Sequence, residues 1–351
     1  MSTSLHRNHH GEAPRTLDIA FGLPAFAADP PPADLRHGSG QGGAPITIGL
    51  VNNMADGALK RTERQFRRLL AGGIDGTNVQ LRLFALAEIP RSEQAREYLA
   101  GTYAGMDQLM CSRLDALVIT GAEPKTARIE DEVYWRSLIG LFEWAAANTI
   151  STFASCLAAQ AAALHFDGIE RRRLPTKCCG VFEHAKAAQH PLMRGKPARW
   201  PVAHSRWHEL PEARLTDAGY AILSRSEHAG VNLFAKERNS LFVFAQGHPE
   251  YEPDTLLKEY QRDVSRYLSG ERANYPSIPE GCLNAASEAE LASFRNLAEA
   301  HRSPDLMAAF PTLTPDHDHV DCSGGTARLF RNWLRFIIRT QQHRTACLAA
   351  T

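Results

Sequence analysis

The run Ile150-Ser151-Thr152-Phe153-Ala154-Ser155-Cys156-Leu157-Ala158-Ala159-Gln160 decides how this chain is read. Ile150 to Ser155 has the character of a buried strand, and Leu157 to Phe166 that of an alanine-rich helix. Only Cys156 separates them. A turn this sharp projects its side chain from the C-terminal edge of a sheet, where α/β enzymes place a nucleophile. The next helix offers free backbone N–H groups and the positive end of its dipole, a setting that favours thiolate over thiol. The N–H of Leu157 stands where it can donate to an oxyanion. Ala154 and Ala158 occupy positions where many such turns carry glycine, and both are small enough for a tight bend. A buried structural cysteine fits the same pattern, so the local sequence leaves both readings open.

Upstream, apolar runs at Ile46–Val51 and Ala116–Thr120 and the alternation of Val79–Leu86 predict three more strands. Asn52 to Lys60 reads as a loop after the first of them. Helical spacing places Phe66, Leu69 and Leu70 on one side of a helix over 61–70. Trp135, Leu138, Leu141, Phe142 and Trp144 do the same over 132–148. Strands alternating with helices predict an α/β fold, a mostly parallel sheet flanked by helices. Downstream, strands are predicted at 220–223, 231–235 and 241–245, and helices at 253–268, 287–302 and 327–341. There is no internal repeat. The chain divides into an extension over 1–44, one α/β domain over 45–345 and a short tail over 346–351. The extension is rich in Gly, Pro, Ala and His without a sustained period, which reads as disorder.

The 39 basic and 39 acidic residues cancel, so no global field draws nucleic acid. Arg171-Arg172-Arg173 reads as a solvated loop or helix end. No run approaches the roughly 20 apolar residues that cross a bilayer, and no membrane partner is expected. Leu17 to Ala28 has the look of an export signal, but Asp18 and Pro24 interrupt it and Glu12 precedes it. Seven cysteines without a C-x-x-C pair suggest neither a disulfide scaffold nor structural zinc. A reducing, cytoplasmic compartment is the expectation. His6, His9 and His10 read as part of a solvated tail rather than a metal site.

A base for Cys156 is available downstream. His248 comes after the apolar run Leu241 to Ala245, within Gln246-Gly247-His248-Pro249-Glu250-Tyr251. A histidine just past a buried strand lies where functional groups gather on open sheets. Glu250, two residues on, can hold one imidazole tautomer and stabilise its cation. A capped turn with a surface His–Glu pair is the bland reading of the same residues. Together with Cys156 they form a nucleophile, a base and an orienting acid.

Longer stretches then align with a known family. They are Val118-Ile119-Thr120-Gly121-Ala122, Tyr134-Trp135, Ser151-Thr152 through Cys156 to Gln160-Ala161, and Lys177. Gly180-Val181-Phe182-Glu183-His184, His204-Ser205-Arg206, Gly247-His248-Pro249-Glu250-Tyr251, Arg262-Asp263 and Asn332-Trp333-Leu334 come next in order. In these the chain resembles the homoserine O-acyltransferase family of methionine biosynthesis. The resemblance implies a class I glutamine-amidotransferase-like fold, no cofactor, an acyl-CoA co-substrate and ping-pong transfer through an acyl-cysteine. Succinyl-CoA or acetyl-CoA would be the donor, L-homoserine or a related hydroxy amino acid the acceptor, and a homodimer the assembly. It also implies that Lys177, Ser205 and Arg262 contact the amino acid and that Lys60 helps bind the donor. Lys125 falls where the family selects the acyl group. A lysine there suits the distal carboxylate of a succinyl group, although it also fits a blocking or solvent-facing role. One departure is Gly324-Gly325, where the family carries a Ser-His pair. A glutamine amidotransferase-like amidase shares the Cys–His–Glu plan and stays open, as does a cysteine-based sensor on the same scaffold.

Overall fold

The apolar runs around Cys156 become the centre of one sheet. A computed structural model describes residues 45–71, 78–313 and 323–349. The extension over 1–44, its histidines and Leu17 to Ala28 lie outside the described residues. Strands β1 (Ile46–Val51), β2 (Val79–Phe84), β3 (Ala116–Ile119) and β4 (Ser151–Ser155) run parallel, in the order β2-β1-β3-β4. Between them lie helices α1 (Asp56–Ala71), α2 (Glu93–Thr102), α3 (Met106–Met110) and α4 (Trp135–Asn148). Helix α5 (Leu157–Asp167) leaves β4 at once.

Every residue of β3 and β4 is buried, as strands covered on both faces require. On one face, Ala154, Leu117 and Ile119 pack against Leu138, Leu141 and Phe142 of α4 and the alanines of α5. Five buried alanines, at 158, 159, 161, 162 and 163, let α5 lie close to the sheet. On the other face, Phe153 and Val118 meet Phe66 of α1 and the apolar side of the last helix. The helix α1 starts at Asp56, so part of the expected loop over 52–60, Lys60 included, is helical. Asp56 in its first turn and Arg68 in its last complement the helix dipole.

The largest departure from expectation is a second sheet. Strands β5 (Arg172–Lys186) and β6 (Arg199–Glu209) form a long antiparallel pair with an irregularity between Arg173 and Cys178. A short helix α6 (Glu212–Asp217) comes next. The expected strand at 220–223 shrinks to β7 (Ala221–Ile222), which joins the first sheet. Strands β8 (Ser224–Ser226) and β9 (Gly230–Val231) complete the second sheet in the order β6-β5-β8-β9. The arginine run therefore enters a strand and is not a solvated loop: Arg172 pairs with Glu209, and Arg173 sits 5.2 Å over the Trp207 ring.

The chain then returns to the first sheet. Strand β10 (Leu233–Glu237) is antiparallel to β11 (Leu241–Ala245), and β11 is parallel to β4. Helices α7 (Thr255–Leu268), α8 (Ala285–Ala300) and α9 (Ser323–Ala349) complete the chain. The last runs beyond the expected 327–341 and continues through 346–349. Trp333 of α9 donates its indole N–H to Ser151 Oγ at 2.8 Å, tying this helix to the base of β4. Asn332 donates to the carbonyls of Leu192 and Arg194.

Candidate active site

Strand β4 and helix α5 have no spacer, so one residue must absorb the whole change of direction. That residue is Cys156, with φ 52° and ψ −115°, alone among the described non-glycine residues in having a positive φ. Holding a side-chain-bearing residue there costs about 1–3 kcal/mol. Neighbouring bonds hold the bend: Cys156 N–H donates to Ala245 O at 2.7 Å, and its carbonyl accepts from Ala159 and Gln160 N–H. The end of β3 also crosses the turn. A Cβ at Gly121 would lie 2.9 Å from the Leu157 nitrogen, so only glycine allows the approach. The Leu157 N–H, first in its helix, has no intrahelical acceptor.

Strand β11 lies beside β4, and residues 246–250 just beyond it reach the same edge. Gln246 bridges two strands: Oε1 accepts from Leu210 N–H at 2.7 Å and Nε2 donates to Val231 O at 2.7 Å. Gly247 N–H donates to Asn232 Oδ1, and His248 N–H to Ala203 O, both at 2.8 Å. A Cβ on Gly247 would come within 2.9 Å of Ala203 O, Asn232 Oδ1 and His204 Cε1. These contacts leave His248 one position, with its ring stacked on Tyr251 at 4.1 Å.

His248 Nδ1 donates to Glu250 Oε1 at 2.8 Å, which leaves Nε2 for the Cys156 sulfur, within hydrogen-bonding reach. Both His248 and Glu250 are buried. Burial pulls the imidazole toward neutrality, but the negative charges at Cys156 and Glu250 outweigh it. They hold its pKa well above the usual histidine value. The arrangement can deliver a thiolate to an electrophile, protonate a leaving group and then deprotonate a second nucleophile.

A family model described as homoserine O-succinyltransferase matches residues 33–344. The chain belongs to the homoserine O-succinyltransferase family. A relative of that name from Methylorubrum extorquens is 48% identical over 293 residues, 83% of this chain and 87% of the relative. Another from Rhodopseudomonas palustris is 47% identical over 290 residues, 82% and 87% of the two chains. Among solved structures, a glutamine amido transferase from Methylobacillus flagellatus has a TM-score of 0.46 at 13% identity. It covers 84% of this chain and 94% of that one, a likeness too weak to bear on function.

The other residues that the homoserine O-succinyltransferase resemblance singles out fall into three places. Ser205 on β6 donates to Glu259 Oε2 at 2.7 Å, and Tyr251 donates to the other oxygen of Glu259. This links β6, α7 and the residue stacked on His248. Lys177 and Arg262 both meet Asp263: Lys177 Nζ at 3.5 Å from Oδ2, and Arg262 Nε and Nη2 at 3.1 and 2.8 Å from Oδ1. Arg272 joins them at 3.1 Å. Burial would raise the Asp263 pKa, but these three cations hold it below the usual carboxylate value. Three cations around one carboxylate leave a net positive cluster, suited to an anion. Lys177, Asp263 and Arg272 line a cavity of about 370 Å³ with Trp207 and Tyr260.

The third place is less favourable to the expectation. Lys60 is exposed on α1, its ammonium 4.4 Å above the Tyr98 ring. Lys125 is also exposed, and its backbone N–H donates to Glu132 Oε1 at 2.7 Å. Gly325, in the departing Gly-Gly pair, presses on Trp200, where a Cβ would come within 2.9 Å of the indole.

Sequence reasoning gives no role to Gln246, Asn232, Glu259 or Asp263, and leaves Arg171 in a solvated run. Glu259 carries no local signal.

Proposed function

We propose that this chain transfers the succinyl group of succinyl-CoA to the hydroxyl of L-homoserine through an acyl-Cys156 intermediate. The observation that carries the chemistry is the His248–Glu250 hydrogen bond at 2.8 Å beside a sulfur held on a strained turn. Membership of the homoserine O-succinyltransferase family supplies the donor and acceptor. In the first half, the thiolate attacks the thioester carbonyl and the Leu157 N–H supports the oxyanion. The C–S bond to CoA breaks, and the His248 imidazolium protonates the departing thiolate. Acylation removes the negative charge from Cys156, and with it one of the two charges that favour imidazolium. His248 is then the better base for the second half. It takes the homoserine hydroxyl proton as that oxygen attacks the acyl-cysteine. The thiolate leaves and the imidazolium is restored.

In this reading the cationic cluster at Lys177, Arg262 and Arg272 receives the amino-acid carboxylate, and Ser205 with Glu259 faces its ammonium group. The test is mass spectrometry of protein mixed with succinyl-CoA alone. Wild type gains one succinyl group, Cys156→Ser gains none, and added L-homoserine discharges the adduct. A wild type that stays unmodified but hydrolyses glutamine would replace this reading with the amidase one.

A further inference from the structure

The cavity of about 370 Å³ is larger than the amino acid proposed to use it. L-Homoserine has about eight heavy atoms, whereas sites of roughly 300–1,000 Å³ enclose drug-sized ligands. Its inner end is the Asp263 cluster, where Lys177 and Arg272 are held. Its outer wall comes from β5 and β6: Trp207 is 38% exposed, and Arg173 lies 5.2 Å over the indole. The Arg173 side chain is exposed and forms no hydrogen bond or ion pair among the described residues. Asp263 is the sole carboxylate among the described lining residues, and three cations already surround it. Glu209, two residues beyond Trp207, is taken by Arg172. A chain of contacts joins this cavity to His248. Tyr251 stacks on His248 at 4.1 Å and donates to Glu259, whose second oxygen accepts from Ser205 at 2.7 Å. Ser205 and Trp207 are two residues apart on β6, so their side chains leave the same face, roughly 7 Å apart along the strand. Cys179, opposite Ser205 on β5, lines the cavity too.

We infer that Trp207, Arg173 and Arg272 bind the nucleotide end of the acyl-CoA donor, the adenine on the indole and the phosphates on the two guanidinium groups. The inference rests on the function proposed above and names the place where the remote end of the donor is held. An arm of about a dozen bonds, on the order of 15 Å when extended, separates the thioester of CoA from its pyrophosphate. The nucleotide must therefore bind at a remove from Cys156, and the relay from His248 through Glu259 to β6 supplies one. An indole open to solvent on the rim of a cavity suits the face of a purine, because base–aromatic stacking needs only a flat, accessible ring. Guanidinium forks suit phosphate oxygens. The cavity holds more cations than its single carboxylate neutralises, and a pyrophosphate with a 3′-phosphate complements that excess. The nucleotide and the amino acid do not compete. In a ping-pong sequence CoA departs before the amino acid enters, so Arg272 serves the phosphates in the first half and the carboxylate in the second.

The test compares succinyl-CoA with S-succinyl-N-acetylcysteamine, which keeps the thioester and the near end of the arm but has no nucleotide. L-Homoserine is the acceptor and free-thiol release the readout. Trp207→Ala should lower kcat/KM for succinyl-CoA roughly 5- to 50-fold, the worth of one stacked base, and leave the truncated thioester nearly unchanged. Arg173→Met should lower the succinyl-CoA value by a smaller factor, roughly 3- to 10-fold, and make it less sensitive to salt. Its side chain stands in solvent, so it decides the matter should Trp207→Ala fail to fold. Equal losses with both thioesters in Arg173→Met, an unchanged value for succinyl-CoA, or a loss that falls on the KM for L-homoserine instead would each overturn the inference. A wild type that forms no acyl-enzyme from either thioester removes the proposed function and the nucleotide site with it. One that forms it from both, with variants that keep the full preference for succinyl-CoA, removes only the nucleotide site.

Discussion

Two buried histidines lie on either side of Gly247, and their protonation is pushed in opposite directions. His248, on the first sheet's edge, is held cationic well above the usual histidine range. His204, on β6 of the second sheet, is held neutral, well below it. Both are buried, and desolvation disfavours the charge of each. The neighbours differ. His248 faces Cys156 and Glu250. His204 faces Arg206, His184 and His248. Arg206 Nε donates to His204 Nδ1 at 3.3 Å, so the neutral ring keeps its proton on Nε2 and donates to His184 Nε2 at 2.9 Å. His184 must then carry its own proton on Nδ1, which is buried without a partner. Burial by itself does not determine whether a histidine is charged or neutral; the sign of the adjacent charge does.

Removing His248 tests the contrast most severely. His248→Ala should slow discharge of the acyl-enzyme to homoserine roughly 100- to 10,000-fold, the usual worth of general-base assistance. Single-turnover kinetics reads this directly, and an unchanged rate would put His248 on the same footing as His204. Glu250→Gln should have a smaller effect on rate, on the order of 10-fold, and a characteristic effect on pH. The carboxylate raises the His248 pKa, so its loss lets the imidazolium deprotonate at lower pH. The alkaline limb of acyl-enzyme formation should therefore move toward neutrality, as measured by rapid quench across pH. A limb that stays in place assigns the raised pKa to other groups.

The smallest effect belongs to the neutral pair. His184 titrates at about 3, because burial and then Arg206 oppose its charge. The folded protein thus binds fewer protons there than the unfolded chain as pH falls below about 6.5. That contribution is complete above the unfolded value and is lost progressively on acidification, by about 1 kcal/mol for each pH unit. His184→Phe should flatten the decline of stability between pH 6.5 and 4.5 by close to one proton, measured from denaturant midpoints. An unaltered slope would mean that the buried ring is already charged in the wild type.

The same division explains what is legible in the chain. Residues 150–160 carry their own signal, because a buried parallel strand is a continuous apolar run and the helix after it starts without a spacer. The strand Leu241 to Ala245 matches its expected bounds residue for residue for that reason. Strands β5 and β6 do not announce themselves. Fifteen residues of β5 alternate poorly, with Arg172, Arg173, Pro175 and Thr176 exposed and an irregularity before Cys178. No period of two survives to be read. The arginine run reads as solvated because a charge run says nothing about which wall it will meet. Asn332 and Trp333 are visible as a motif, but their work as donors across the fold is not.

Sequence alone shows a lone cysteine between a strand and a helix, and His248 two positions before Glu250, since each feature depends on residues at most a few positions apart. Tertiary structure decided which cations gather on a carboxylate, as Lys177, Arg262 and Arg272 do on Asp263, and which lie exposed, as Lys60 and Lys125 do. It also decided which histidine is charged. Those outcomes depend on distances between segments remote in the chain, and electrostatic energy is a function of such distances and of burial, neither of which a linear pattern contains.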